Sequence, residues 1–525
     1  MASRTASVQQ NTTFEPPVGR AGPAGLRPLL LPAGMSVIVA LFALLTRQAV
    51  LQAAFLGAGG VMLVWCALLW QSARRGERSL VMQFVPRKTH WVQACAQFTL
   101  ILWWAAHTPL IAALLPYIGA QLAFAFAVDS LLTWSRRDTY AIGFGPFPVI
   151  FSINLFLLFK PEWFYWQFVL IAVGFAAKEL IHWKRDGKSA HIFNPSSFPL
   201  AVFSLVLLLM HGTDYTFGNT IANTIFDTPH IHLAIFLVAL PGEVLFGVAP
   251  VTIAAAVTTY LLGVIYLHVT GTYLYYDAYI PPAVFIGMTL LVTDPATSPR
   301  TELGRVLFGV IYAIGTAVLF VILEHYNAPT FYDKLLPIPL MNLMVRGIDR
   351  FVRVPTIAAI DPARLRKAWT PQRAYALYTA VWVACFVPML ATRAVGDSHP
   401  GQYLPFWQNA CAANSTRACR YVATLTSVFC VRGSGWACND EGILKRRIGV
   451  EAAADFRRAC ELGYADGCRN AQLPETETVA LVSGAPEARD WPVVLAGSKP
   501  NLAERDPVRL RELACEQGWP GACGP

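Results

Sequence analysis

Residues 306–323 read VLFGVIYAIGTAVLFVIL, a run of 18 positions with no charge, bounded by Arg305 and Glu324. As a helix it is roughly 27 Å long, about the thickness of bilayer hydrocarbon. Apolar runs of 17 or more residues recur outward from it, between Leu29 and about Leu390. They predict spans near 29–46, 50–70, 91–109, 112–133, 141–159, 163–182, 196–211, 231–247, 249–268, 280–293, 304–325, 331–348 and 373–393. The composition agrees: 55% of the 525 residues are hydrophobic, 14% are charged, and mean hydropathy is +0.46. Within lipid every backbone group must find an internal partner, which favours helices. The expected fold class is all-α, a polytopic membrane helix bundle with a small helical domain after it.

The net charge of +9 sits mainly in short loops between these runs. The basic loops are Arg74-Arg75 to Arg78 with Arg87-Lys88, then Arg136-Arg137, Lys184-Arg185 with Lys188, Arg300 with Arg305, and Arg346 through Arg373. Counting crossings puts them all on one side, which the positive-inside rule makes the cytoplasm. That placement explains the charge without nucleic acid, so no nucleic-acid partner is expected. Parity requires the Pro-bearing segment 331–348 to cross. The run after Arg27 lies too deep and lacks a cleavage site, so it is a first membrane helix and not a signal peptide. Residues 1–25 are rich in Thr, Gln, Pro and Gly and read as disordered. The last span leaves residues 397–525 outside, in the periplasm of a bacterial inner-membrane protein.

Eight of the 11 cysteines fall after residue 410 in pairs of one spacing, C-x7-C. The pairs are Cys411 with Cys419, Cys430 with Cys438, Cys460 with Cys468, and Cys515 with Cys523. Shared spacing and an even count predict disulfides, each within its own pair. Disulfides persist in oxidising compartments, which agrees with the side given by the charge count. Residues 453–471 read AADFRRACELGYADGCRNA, with helical spacing broken at Gly463. Two antiparallel helices joined by that bend would bring the sulfurs within bonding reach. The absence of C-x2-C spacing and of accompanying His argues against a metal. No C-x-x-C-H is present for attached haem.

Two polar stretches interrupt the apolar runs: His191-Ile-Phe-Asn194-Pro195 and Thr293-Asp294-Pro295-Ala-Thr-Ser298-Pro-Arg300, followed by Arg305. A short polar residue before Pro can cap a helix start, with Ser298 expected to cap a helix over 300–325. Free N–H groups at such starts suit an anion or a polar ring edge. The alternative role for Arg300 and Arg305 is anchoring by the positive-inside rule. Glu179 and Glu243 are acids within spans and mark proton or ion handling. His107, His232 and His268 lie in or near spans, but no facing pair for haem is evident.

These two stretches, with Leu340-Met-Asn342-Leu-Met-Val-Arg-Gly-Ile-Asp349, occur in an order that resembles the NqrB/RnfD family of membrane electron-transport subunits, in its diverged branch. The resemblance covers roughly residues 85–355. It implies two inverted five-helix halves and a flavin, FMN or riboflavin, relaying electrons within a hetero-oligomeric complex of redox partner proteins. Asn194, Pro195, Thr293, Asp294, Arg300 and Arg305 are the cofactor-binding candidates it suggests. It also implies that the two Pro turns occupy corresponding positions in the halves and bound a shared cavity. Family members with covalent FMN attach it to a Thr of a Gly-Ala-Thr-type motif. The loop HGTDYTFGNTIANTIFDTPH, 211–230, has no such motif, so non-covalent flavin is expected. The tail, above all Arg458 to Cys468 and Leu513 to Cys523, resembles cysteine-rich Sel1-like repeats, which implies a periplasmic protein partner. The resulting organisation is 1–25 disordered, 26–84 two extra membrane helices, 85–355 the NqrB/RnfD-like domain, 356–396 a cytoplasmic loop and last membrane helix, and 397–525 the repeat domain. The function expected is that of a flavin-binding electron-transfer subunit. The alternatives are a transporter or efflux component of inverted-repeat type, and a scaffold whose tail recruits partners.

Overall fold

The structure is a computed structural model that describes residues 27–523 apart from 77, 186, 366–369, 501 and 520. The segment 1–25 expected to be disordered lies outside the described residues. The protein is all-α and of multi-pass membrane type. Among the described residues, six helices are long and apolar enough to cross a bilayer, and one further pair is bent by 97°.

Helices α1 (Leu30–Leu41) and α2 (Ala49–Arg75) form a hairpin against α4 (Pro109–Arg136), the second element of the main bundle. A Cβ at Gly59 would strike Ala40 and the Ser36 carbonyl, so only glycine allows α1 and α2 this close. The bundle begins with α3 (Lys88–His107) and α4, then α5 (Pro146–Asn154), which gives way to extended chain through Phe159. Next come α6 (Tyr165–Leu180), a hairpin of β3 (His182–Arg185) and β4 (Lys188–His191), and α7 (Ser197–Leu209). A short parallel pair, β1 (Val81–Phe84) with β2 (Thr139–Ile142), ties the start of α3 to the end of α4.

A short helix, α8 (Gly218–Asp227), follows. Helices α9 (Ile231–Phe246) and α10 (Ala249–Thr270) precede a short α11 (Pro282–Ile286), which continues as a π-turn, Gly287–Leu291, and then as bends. Helix α12 (Glu302–His325) follows, and α13 (Pro337–Phe351) is entered through a 3-10 turn, Thr330–Lys334. Helix α3 packs on α9, and α7 on α13. Gly309, Ala313 and Ala317 give α12 a small-residue stripe at its contact with α10, where an added Cβ on Gly309 would collide with the Val251 carbonyl. Such stripes let membrane helices approach closely enough for van der Waals packing. Short helices α14 (Pro355–Ala358) and α15 (Pro362–Leu365) lead to α16 (Pro371–Ala391).

Not every expected span is a helix of full crossing length. The segment 141–159 is helix over Pro146–Asn154, a turn at 155–156 and an extended stretch to Phe159, and 280–293 is a short helix with a π-turn. A buried amide network supports the extended half. Gln121 and Asn154 exchange hydrogen bonds of 3.0 and 2.9 Å, and Gln167 accepts from the Phe159 N–H at 3.1 Å. These amides replace the backbone partners that a continuous helix would supply. Segment 331–348 runs from the Gly218 end of the bundle, where Phe331 packs, to the Arg185 end, where Asp349 is bound, and its helix α13 is not one of the six long apolar helices. Pro241 lies inside α9, not in a turn, and the chain reverses instead at Gly247, with φ of 64°.

The tail is a run of antiparallel helices: α17 (Leu404–Ala412), α18 (Thr416–Val431), α19 (Gly435–Arg447), α20 (Ala453–Glu461), α21 (Ala465–Ala471), α22 (Trp491–Val494) and α23 (Pro507–Glu516). Four disulfides form, each within its own C-x7-C pair, with Cα–Cα distances of 4.5 to 4.8 Å. In each unit the third residue after the first Cys has positive φ: Asn414 (67°), Gly433 (97°), Gly463 (84°) and Gly518 (83°). That left-handed residue ends one helix and turns the chain into the next element. Ser415 and Ser434 then cap the following helices, accepting from Ala418 N and Ala437 N.

The tail is docked on the bundle. Leu404 and Trp407 share an apolar cluster with Tyr273, Tyr276 and Tyr279 of the 271–281 loop. Arg417 pairs with Glu324 at 2.8 Å, donates to the carbonyls of Tyr273 and Leu274, and stacks on the Tyr276 ring at 4.2 Å.

Candidate functional site

The three polar stretches meet at one end of the bundle although 100 and 148 residues separate their members. The β3–β4 hairpin leads the chain back to Asn194. Gly174 of α6 leaves room for this turn, since a Cβ there would collide with the Pro195 carbonyl. Asn194 Oδ1 accepts from Ser196 N and Ser197 N at 2.9 and 3.2 Å, which satisfies free donors at the start of α7. Its Nδ2 faces Asp294 Oδ2 at 3.4 Å, and its backbone N–H donates to Asn342 Oδ1 at 3.3 Å. His191 Nε2 lies 4.0 Å from the same Asp294 oxygen.

Asp294 closes its own turn. Its carboxylate accepts from Ala296 N at 3.0 Å and Thr297 Oγ1 at 3.1 Å. Burial works to raise this carboxyl, but the nearby His191 and hydrogen bonds from Ala296 and Thr297 prevail and hold it below the ordinary carboxylate value. The expectation that Asp294-Pro295 and Ser298-Pro299 each start a helix is corrected here. Ser298 Oγ bonds back to the Asp294 carbonyl at 2.7 Å, and α12 begins at Glu302 with Thr301 as its cap. Pro195 likewise precedes the helix, which starts at Ser197 and is capped by the Asn194 side chain. Thr293 is buried, its hydroxyl on the Thr289 carbonyl at 2.6 Å.

Arg185, Asn342 and Asp349 belong to the same junction and were not singled out from sequence as site residues. Arg185 is 7% exposed; it pairs with Asp349 at 2.8 Å and donates to the carbonyls of Ala296 and Ser298. The strand alternation that turns Arg185 inward leaves Lys184 outward, and this period of two is the one available signal. Asn342 and Asp349, seven residues apart, share a face of α13. The Arg300 N–H donates to Asp349 at 3.1 Å. Arg305 spends its guanidinium on the carbonyls of Pro299 and Gly247, so it clamps α12 to the end of α9.

Beside this junction a crevice runs between α3 and α9, lined by Thr89, Gln93, Gly242, Glu243, Thr293 and Pro295 among others. Asn194 does not line it. It has about 30 Å³ of room, enough for water and far too little for a three-ring flavin. The donors and acceptors at the junction suit a flavin edge in kind, but they are committed to one another, so the closed site does not fit the group.

The other candidates separate clearly. Glu179 is paired with Arg137 at 2.6 Å. His232 is held between the Ile280 carbonyl, 2.9 Å from Nε2, and the Gly396 N–H. Glu243 is 2% exposed, and neither carboxyl oxygen has a hydrogen-bond partner. Compared with known proteins, the chain matches no family model, no curated protein and no solved structure.

Proposed function

We propose that this chain is a membrane subunit of an electron-transfer assembly, built from two inverted five-element halves, 88–209 and 231–351. The repeated order of elements and the contacts between equivalent helices support the inverted repeat. In that arrangement Asn194-Pro195 at the entry to α7 is equivalent to Leu336-Pro337 at the entry to α13, and not to Asp294-Pro295. The two Pro turns are instead partners from different halves. The observation that carries the proposal is their convergence: the stretches that resemble the NqrB/RnfD family form one hydrogen-bonded junction between the halves. The flavin that the resemblance implies supplies one-electron and two-electron steps when bound. The chain's own residues fix the junction: Asn194 caps α7, Asp294 closes the turn after α11, and Arg185 holds both to α13.

The basic face is cytoplasmic in this reading, and the tail is a periplasmic Sel1-like module. An absorption spectrum of detergent-purified protein tests the redox assignment. A blue-region flavin band at about one flavin per chain, released by acid because attachment is non-covalent, is the expected result, and it requires the closed junction to open around the ring system. A colourless, folded protein overturns it. The unpartnered Glu243 favours transport as the second reading, since a buried acid facing a water-sized crevice suits movement of protons or ions better than electron transfer.

A further inference from the structure

The crevice between α3 and α9 contains a group that neither the junction nor the tail employs. Glu243 stands one turn from the end of α9, just after Pro241-Gly242. Both carboxyl oxygens are buried and unpartnered. Thr252 of α10 and the indole Nε1 of Trp382 on α16 approach it without closing a hydrogen bond, and that indole N–H is itself unpartnered. A buried polar group normally has a partner, and leaving it without one costs about 1–3 kcal/mol. Two unpartnered groups of complementary kind, next to space for water, mark a place that water occupies.

Among the described residues no cation pairs with Glu243; Arg305, which reaches the end of α9, is spent on the Gly247 carbonyl. Facing Glu243, α3 presents Thr89 and Gln93, α10 presents Thr252, the π-turn presents Thr289, and α16 presents Trp382. The titratable positions close by on those elements are His90 beside Thr89, Cys95 beside the lining Ala96, Asp294 between the lining residues Thr293 and Pro295, and Tyr378 and Cys385, each about one turn from Trp382. The π-turn supports a functional use of this place, since such turns replace regular helix at functional sites more often than elsewhere. Gln93 Nε2 bonds the Leu290 carbonyl at 3.1 Å, so it fixes the crevice wall opposite the acid.

We propose that Glu243 is a proton-exchange site, a carboxyl sealed between α3, α9, α10 and α16 that takes up and returns a proton through water in this crevice. The exchange is balanced in itself: a water-borne proton adds to one carboxylate oxygen and later returns to water. The path opens toward Thr293 and Pro295, the basic face of the bundle. The site stands whether the chain moves electrons or solute, because it uses no residue of the Asn194–Asp294–Asp349 junction.

The test is labelling of the intact, purified protein in detergent with dicyclohexylcarbodiimide, which adds to neutral carboxyls in apolar surroundings, followed by peptide mass analysis. The peptide containing Glu243 should carry the adduct at mildly acidic pH, lose it severalfold toward alkaline pH, and be indifferent to added sodium chloride. Glu243→Gln should abolish the adduct while thermal stability is unchanged or higher, since no hydrogen bond is lost. An unlabelled Glu243 in folded protein, or labelling that ignores pH, overturns the proposal. Protection by sodium at constant pH overturns it also, in favour of a cation site. A Gln variant that unfolds shows a structural carboxyl and counts against it.

Discussion

At the scale of single residues, buried charge separates positions that looked alike in sequence. Arg185 and Lys184 are neighbours in one basic loop, yet only Arg185 is engulfed, with Asp349 as its partner. Removing one member of such a pair leaves an uncompensated charge and costs about 3–5 kcal/mol, whereas replacing both by apolar groups is often near neutral. Arg185→Met should therefore lower the thermal midpoint in detergent sharply, and adding Asp349→Leu should recover much of the loss. A single variant as stable as the parent would show that the pair does not hold the junction. In the tail, His399 is 3% exposed and accepts the Gly401 N–H through Nδ1 at 3.1 Å. Burial pushes its imidazole down to about 4, against 6.5 in the unfolded chain. The neutral ring thus stabilises the fold fully above the unfolded value, and this contribution fades as pH falls toward the folded one. It amounts to on the order of 3 kcal/mol. Burial raises Asp277 and Asp440 to about 6, which acts in the opposite sense. The prediction is therefore a difference: between neutral pH and mild acid, the parent should lose more tail stability than His399→Asn does. Parallel pH profiles would remove His399 from the account. The Asn-Pro and Asp-Pro dipeptides were legible as polar turns but not as to what they cap. A carboxylate before proline can serve a helix or its own turn, and only tertiary neighbours decide.

Whole elements were legible where a pattern repeats and obscure where backbone leaves the helix. The four C-x7-C units announced their hairpins because spacing, small residues and the bend coincide each time. The left-handed position makes a graded prediction. At Gly463, φ is 84°, and alanine there should cost roughly 1–2 kcal/mol, the usual penalty of that conformation for a residue with a Cβ. At Asn414 the same position is already held by a side chain, so Asn414→Gly should be neutral or mildly stabilising. Thermal unfolding of the full chain under oxidising conditions checks both, and equal effects at the two sites would refute the shared role. The half-helices were obscure for a physical reason. A run such as Leu155–Phe159 is as apolar as a helix, and what permits extended backbone there is amides from other runs, Gln121 and Gln167. Nothing local to 155–159 records them. Six residues named for a cofactor fell in one neighbourhood, yet Arg305 proved a clamp between helices, and the unpartnered Glu243 was readable as an acid within a span but not as one without a partner.

For the whole molecule, the basic loops gather at one end and the tail at the other. Arg78 meets Asp138, and Arg185 meets Asp349, across loops that parity had placed together. The sidedness itself can be measured. Alkaline phosphatase fused after Pro405 should be active, and a fusion after Arg137 should be inactive; the reverse pattern would invert the protein in its membrane. Arg417 gives the two ends of the chain's history a common fate. Its bond to Glu324 joins residues 93 positions apart, and its guanidinium fills the ring of carbonyls that the 271–281 loop leaves open. During synthesis that loop and the end of α12 emerge well before their partner. Until the tail has folded and formed its disulfides, a carboxylate and several tyrosines stay uncovered. Chains cut short after α16 would keep that signature permanently. The last quarter of the protein therefore covers a polar and aromatic face that the membrane part alone would leave open.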